Sequence, residues 1–226
     1  MKKITTMMTA ALVCGVMFTS CGGGTPKSGL KNNEFFGNLP ALHADFDLAK
    51  GADEAELEKV WKSSDPKKIA KAADRIEKRA TERKEKFDAA VEAEWAKVQG
   101  RSLPISFSKA ANEIELIQNI EIASAKIEGQ QIVFNITAKN DIPRRMLGSD
   151  RNWVSQNAIY FRFVAKDGST LYSGVTMVRE QNYTAGQSLA PQFGNAITTQ
   201  IFPAHLADFT NIEIISKQEY DNLQKR

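Results

Sequence analysis

The side chains best suited to acid–base chemistry in this chain are two histidines, because imidazole has an ordinary pKa close to neutral pH. His43 lies in the run His-Ala-Asp-Phe-Asp (43–47), and His205 follows a Pro-Ala pair. A metal site would need further ligands, and a nucleophile–base pair would need a Ser or Cys held against the ring. The sequence favours a solvated polar turn that caps a helix at 43–47 and a turn between strands at His205. We therefore predict no catalytic centre, no metal and no cofactor.

Composition and motifs narrow the function classes further. The sequence has no Gly-rich phosphate loop, no Gly-x-Ser-x-Gly elbow and no His-Glu-x-x-His run. Two Cys and two His are too few for a zinc finger or a disulfide scaffold. Lys and Arg total 30 against 27 Asp and Glu, a net charge of +3, which does not indicate a nucleic-acid partner. An enzyme that uses either histidine is the least favoured hypothesis.

A long loop with three arginines and a tryptophan is the strongest candidate for binding. Residues 140–153 read NDIPRRMLGSDRNW and interrupt a series of predicted strands. Long loops on a rigid scaffold often carry binding residues, and Arg and Trp dominate the hot spots of protein interfaces. The candidate binding residues are Arg144, Arg145, Arg151 and Trp153. The equally supported alternative is that Trp153 packs into the core and the arginines pair with nearby Asp.

The first twenty residues predict an export signal. A positive Met-Lys-Lys start is followed by an apolar stretch at 7–18, which is too short to cross a hydrocarbon core of about 30 Å. Next come Phe-Thr-Ser and Cys21, followed by three glycines. This arrangement resembles a bacterial lipoprotein signal, although Phe18 replaces the usual Leu. The resemblance implies cleavage before Cys21, acylation of Cys21 and a lipid anchor.

Cys21 would be the only cysteine of the mature protein, because Cys14 lies in the removed segment. Lipidation gives this single cysteine a role in an exported protein, whereas ordinary secretion would leave it unmodified. Gly22 after the cysteine resembles lipoproteins sent to the outer membrane. We therefore expect a lipid-anchored protein of the outer membrane in a bacterial cell envelope, facing the periplasm rather than the cell exterior.

The remaining chain predicts three parts. Residues 21–40, rich in Gly, Asn, Ser and Pro, are expected to form a flexible tether. The charged segment 41–100 is expected to form a helical hairpin or stalk, with a short helix near 53–63 and a long one over 66–98. Asp65 and Pro66 suit the cap and first position of that long helix. Its basic flank predicts a solvated face, with acidic lipid head groups as the alternative partner: Lys71, Arg75, Lys78, Arg79, Arg83 and Lys86.

Residues 101–226 change to a period of two, typical of strands with one buried face. We predict an antiparallel immunoglobulin-like β-sandwich of seven or eight strands, so the whole chain is α+β in separate segments. Two strands with clear alternation are expected around 131–138 and 159–164, and a hairpin turn at 166–169 leads into 171–178. The other candidate strands are 103–108, 113–118, 119–127, 196–202 and 211–216.

Within this segment, the run IYFRFVAKDG (159–168) resembles the strand and turn of FxLYD-type immunoglobulin-like domains on bacterial envelope lipoproteins. Val164 and Ala165 stand where that motif has Leu-Tyr. The resemblance implies a binding or spacing module without a catalytic site. The favoured hypothesis is therefore a structural or protein-interaction module, held away from the membrane by the tether and helices.

The alternative is a sandwich that binds a carbohydrate or another small ligand. In that case an exposed aromatic platform would be formed by four residues: Trp153, Tyr160, Tyr172 and Tyr183.

Overall fold

The computed structural model describes residues 27–148, 156–194, 197–200 and 206–225. The chain divides into two compact units. The helical unit contains the described residues up to Asn32 together with Gly37–Ala96, and the β unit contains Asn33–Phe36 together with the described residues from Lys97 onward. Helices followed by sheets give an α+β arrangement, as the sequence predicts. No helix within these described ranges combines the length and hydropathy needed to cross a bilayer.

The helical unit is an antiparallel hairpin of two helices. Helix α1 spans Leu39–Trp61 and helix α2 spans Pro66–Val98, which at 1.5 Å per residue makes them about 35 and 50 Å long. Phe46 of α1 stacks on Phe87 of α2 with ring centroids 4.0 Å apart. The predicted start of α2 is confirmed, because the Asp65 carboxylate accepts hydrogen bonds from the first backbone N–H groups of the helix.

Helix α1 is longer than the short helix predicted at 53–63. It starts at Leu39, with Pro40 in its first turn, and continues through Gly51. A proline is tolerated there because its missing N–H has no partner in that turn. A glycine inside a helix costs about 0.5–1 kcal/mol, so contacts with α2 outweigh the local preference. The run 43–47 is therefore helical, and its prediction as a turn is wrong.

Residues 33–36, which we call the strap, are ordered, so the prediction of a flexible tether over 21–40 is wrong for this part; residues 21–26 lie outside the described residues. Asn33 is buried and its Nδ2 donates to the carbonyls of Ala207 and Phe209, at 3.1 and 3.0 Å. Its Oδ1 accepts from the backbone N–H groups of Phe35 and Phe36, at 2.9 and 3.3 Å. The Phe36 side chain is fully buried, edge-on to Phe209 at 5.2 Å. The amide and ring contacts therefore fix this segment within the β unit.

The strap changes how the two units are connected along the chain. The chain contributes residues to the β unit at 33–36, then forms the hairpin, and returns to the β unit at Lys97. Along the chain, the hairpin is thus inserted between two segments of the β unit. Residues 22–32 precede the strap, and even fully extended they would span only about 40 Å.

The β unit contains two four-stranded sheets, with strand orders β1-β3-β4-β7 and β2-β8-β5-β6. Most neighbouring strands are antiparallel, but β2 and β8 pair in parallel, so the prediction of a wholly antiparallel arrangement is wrong. The strands within the described residues are β1 Ser102–Leu103, β2 Ile105–Phe107, β3 Ile120–Glu128, β4 Gln131–Ala138, β5 Ala158–Ala165, β6 Thr170–Met177, β7 Thr198–Gln200 and β8 Phe209–Ile215.

The two sheets bury the alternate residues that the sequence singles out. Phe134 of β4 and Phe161 of β5 are buried, and their rings meet across the sheets with centroids 5.6 Å apart. Gly174 of β6 lies against Phe161, where a Cβ atom would come within 2.6 Å of the ring. The same faces bury further apolar side chains: Ile132, Ile136, Ala138, Ile159, Phe163, Phe209, Ile212 and Ile214.

Two helical segments of the β unit differ from the prediction. The segment predicted as a strand at 113–118 contains the end of a 3-10 turn, Ala111–Glu113, and helix α3, Glu115–Asn119. Helix α4, Lys217–Gln224, follows β8 and was not predicted. Ser216 and Glu219 form a capping box at its start, a signal that the sequence contains.

Candidate functional site

The predicted binding loop is described only in part. Arg144 and Arg145 lie within the described residues, whereas Cys21, Arg151 and Trp153 lie outside them, as does His205. We call residues 141–148 the arginine turn. Its centre is a short 3-10 helix, Arg144–Met146, and both arginine side chains are exposed.

The backbone of the arginine turn is fixed on both sides. Ile142 and Tyr183 exchange backbone hydrogen bonds, each of 2.9 Å, and the Arg144 N–H donates to Asn182 Oδ1 at 2.8 Å. Ile142 and Leu147, which flank the two arginines, are fully buried. The turn therefore presents two guanidinium groups from a base that is already ordered.

The support beneath the turn comes from the segment 182–190. The Tyr183 hydroxyl donates to the Arg179 carbonyl at 2.9 Å, and burial raises the pKa of this phenol. The Asp141 carboxylate accepts a hydrogen bond of 2.9 Å from the Ala185 N–H. Asp141 is thus engaged by the backbone, which is a different role from the arginine pairing considered as the alternative.

The aromatic platform expected for a glycan site does not assemble from the described tyrosines. Tyr183 is only 2% exposed. The Tyr160 ring packs against Tyr220 of α4 at 5.1 Å, and the Tyr172 ring packs against Phe163 at 5.2 Å. These rings are used in internal packing, so they do not form one exposed face. The fourth candidate, Trp153, lies outside the described residues.

A groove lies between β5, β6 and α4, and no pattern in the sequence predicts it. It encloses about 640 Å³, and Arg162 lies in it with Nε 2.6 Å from Glu213 Oε2 and Nη1 3.0 Å from Thr170 Oγ1. The Gln224 side chain donates to Ser173 Oγ at 2.9 Å. Because Glu213 already pairs with the guanidinium, the groove suits a neutral polar ligand better than an anion. We call it the outer groove; it is lined by Arg162, Gly168–Ser173, Leu223 and Gln224.

A smaller cavity of about 280 Å³ shares Arg162 and Leu223 with the outer groove. Glu219 lies in this smaller cavity, and its carboxylate accepts a hydrogen bond of 2.7 Å from the Ser108 hydroxyl. Burial acts to raise the pKa of Glu219, but hydrogen bonds from the Ser216 backbone N–H and the Ser108 hydroxyl outweigh it and hold the pKa below its ordinary value. Glu219 is therefore an ionised carboxylate with satisfied partners.

His43 lies on α1, with its ring edge-on to Phe87 at 5.0 Å. Burial lowers the pKa of His43, and the nearby Asp47 carboxylate offsets only part of that effect. The imidazole is therefore neutral at neutral pH. Within the described residues, no cluster of three or more His, Cys, Asp or Glu side chains is placed to hold a metal ion.

The three arginines of the predicted basic flank pair with carboxylates of α1, whereas its three lysines, Lys71, Lys78 and Lys86, are exposed, as predicted for a solvated face. Arg79 lies 2.7 Å from both Asp53 and Glu56, and Arg83 lies 3.5 Å from Asp53. Arg75 also pairs with Glu56. The Asp53 side chain is fully buried; burial raises the pKa of its carboxyl, and Arg79 and Arg83 counter that shift. We call Asp53, Arg79 and Arg83 the buried charge cluster.

Comparison with family models, with curated proteins and with solved structures found no match to this chain. Its function is therefore inferred from its residues and their geometry.

Proposed function

We propose that this chain is a lipid-anchored protein of the bacterial cell envelope that binds a partner protein and carries out no catalysis. In this proposal Cys21 is acylated and holds the chain at the outer membrane, facing the periplasm. The support is the residue pattern of the first 24 positions, with a basic start, a short apolar stretch and a small residue before the cysteine. Two or more acyl chains give a stable anchor.

The arginine turn is the observation that carries the proposed partner binding. Arg144 and Arg145 are exposed on a backbone held by Tyr183 and Asn182. An ordered backbone reduces the entropy lost on association. Guanidinium groups form strong bidentate hydrogen bonds with carboxylates, so the expected partner presents acidic side chains.

The β unit is proposed to be an immunoglobulin-like sandwich that acts as the rigid scaffold for this turn. Two four-stranded sheets and the contact between Phe134 and Phe161 support this proposal. The resemblance of 159–168 to FxLYD-type envelope domains agrees with it. Such domains vary their loops on a constant core, which suits a binding role for 141–153.

The test is in-cell crosslinking of the tagged, full-length protein in its native host, with mass spectrometry of the captured proteins. We expect a partner that is enriched with the wild type and lost when Arg144 and Arg145 are both changed to Glu. The matched control changes Lys109 and Lys166 to Glu, which makes the same charge change at two other exposed positions of the β unit. Equal capture by the arginine variant and the control would remove the turn from the proposal.

The anchor is tested separately by mass spectrometry of the N-terminal peptide. We expect an acylated Cys21, and we expect Cys21→Ala to move the protein out of the membrane fraction. An unmodified Cys21 in the mature protein would contradict the proposed anchor. It would not affect the test of partner binding, which is independent.

The second candidate function is binding of a carbohydrate or another small polar ligand, and the observation that favours it is the outer groove. Its hydroxyl and amide groups suit a neutral polar molecule. Titration with glycan fragments, followed by calorimetry, tests this role. We expect saturable binding that Ser173→Ala and Gln224→Ala both weaken. A flat titration with the wild type would contradict it.

A further inference from the structure

The turn end of the helical hairpin has a different charge from the rest of the hairpin. We call residues 57–71 the tip. The tip has five lysines against two carboxylates, a net charge of +3, whereas residues 39–56 have one lysine against five carboxylates, a net of −4. Residues 72–98 have seven of each sign and are neutral. The tip lysines are Lys59, Lys62, Lys67, Lys68 and Lys71.

Both carboxylates of the tip have partners inside it. Glu58 pairs with Lys62 at 2.7 Å. Asp65 accepts hydrogen bonds from the backbone at the start of α2 and lies 3.5 Å from the Lys68 amine. Within the part of the chain that the structure describes, Lys59, Lys67 and Lys71 form no ion pair and all three are exposed. These three amines are therefore available to an anionic partner.

A partly exposed tryptophan lies among these lysines. Trp61, the last residue of α1, is 41% exposed, and the apolar side chains of Leu57, Val60 and Ile69 are partly exposed near it in sequence. Indole has an apolar body and one N–H donor, so Trp concentrates at the level of lipid head groups. Lysine keeps its amine in water while its methylene chain lies along apolar surface.

We propose that the tip binds the surface of an anionic lipid bilayer, with the Trp61 indole at head-group level and Lys59, Lys67 and Lys71 facing the anionic head groups. The surface of an anionic bilayer has charged head groups above hydrocarbon. It therefore suits a tip that combines unpaired lysines with one tryptophan and small apolar patches. An acidic protein surface would also pair with the lysines, but it would not place the indole in contact with lipid, so lipid contact of Trp61 separates the two kinds of partner. This proposal goes beyond the partner binding proposed above and does not depend on it.

The test uses the full-length chain reconstituted with two kinds of vesicle, one of phosphatidylcholine alone and one of phosphatidylcholine mixed with phosphatidylglycerol. Both contain lipids brominated near the head group, which quench tryptophan fluorescence on contact. Subtracting the signal of Trp61→Phe isolates Trp61 from the other two tryptophans. Vesicle flotation, measured in parallel, reports attachment through the N-terminal segment.

We expect the fluorescence of Trp61 to be quenched in the anionic vesicles. The quenching should be at least about tenfold weaker when Lys59, Lys67 and Lys71 are changed to Gln, and also when the salt concentration is raised. The control variant changes Lys78, Lys84 and Lys86 to Gln, which removes the same charge from the middle of α2, and it should be quenched like the wild type. The proposal is overturned if the chain floats but Trp61 is unquenched, if the tip and control variants behave alike, or if the full-length chain does not float with anionic vesicles.

Discussion

Each of the two units is stabilised internally by a different kind of buried side chain. In the β unit the buried positions are almost all apolar, and aromatic rings contact one another from Phe36 through Phe209 to Phe163. The middle of the hairpin instead buries the Asp53 carboxylate between the guanidinium groups of Arg79 and Arg83. An apolar core tolerates small shifts in side-chain position, whereas a buried charge needs its partners in place. The hairpin therefore depends on a specific alignment of its helices more than on burial area.

Phe163→Ala should cause the largest loss of stability, because it removes the ring at the centre of the aromatic core. Phe163 is fully buried and its ring contacts Phe161, Tyr172 and Phe209 with centroids 5.2 to 5.8 Å apart. We expect the free energy of unfolding of the β unit to fall by about 3–5 kcal/mol. Urea unfolding followed by near-ultraviolet circular dichroism measures this change.

Val164→Ala, at the next and partly exposed position of β5, is the control and should cost less than half as much. If both substitutions had equal and small effects, the aromatic core would not distinguish the β unit from the hairpin.

Asp53→Ala should have the next largest effect, because it leaves Arg79 and Arg83 without their shared carboxylate. Removal of one partner from a buried ion pair costs about 3–5 kcal/mol, and Arg79 is partly exposed, so we expect about 2–3 kcal/mol. Urea unfolding followed by the helical signal in far-ultraviolet circular dichroism measures this change in the free energy of unfolding. Glu54→Ala, one residue further along α1 and exposed, should change the stability by less than about 0.5 kcal/mol.

An apolar replacement of the whole cluster sharpens the comparison. Changing Asp53, Arg79 and Arg83 together to Leu or Met should restore most of the stability lost in Asp53→Ala, since buried ion pairs are often no more stabilising than packed apolar groups. A triple variant that is less stable than Asp53→Ala would show that the charges themselves stabilise the hairpin.

The smallest expected effect is a pH dependence due to His43. Burial lowers the pKa of His43 below its ordinary value of 6.5. The unfolded chain therefore takes up a proton at higher pH than the folded hairpin does, so this contribution to stability is present above pH 6.5 and is lost as the pH falls below it. Unfolding of the hairpin measured across this range should show the decrease, and His43→Gln should remove it. The same slope in His43→Gln would assign it to another group.

The sequence predicts best those elements whose pattern is long and local. The alternation of Ile132, Phe134 and Ile136 is enough to predict β4 and its buried face, and the structure confirms both. The Asp65-Pro66 pair likewise predicts the start of α2, because capping depends only on neighbouring residues. A short run is less informative. Apolar Ile114 and Leu116 alternate with acidic residues over only four positions, and α3 forms there instead of a strand.

Contacts between residues that are distant in sequence could not be predicted from one chain. The Asn33 amide donates to carbonyls 174 and 176 residues away, and no local pattern signals such a pair. The pairing of Arg79 with Asp53, 26 residues apart, depends on how the two helices align. At the candidate site, exposure of Arg144 and Arg145 follows from their polarity, whereas the support from Asn182 and Tyr183 does not.

We conclude that the strap belongs to the β unit, which makes the hairpin an insertion along the chain. Hydrogen exchange of individual backbone amides, followed by NMR, tests the claim most directly. The amides of Phe35 and Phe36, bonded to Asn33, should exchange as slowly as those of β8, while that of Leu30 should exchange quickly. Exchange of Phe36 as fast as that of Leu30 would contradict the claim and restore the flexible tether.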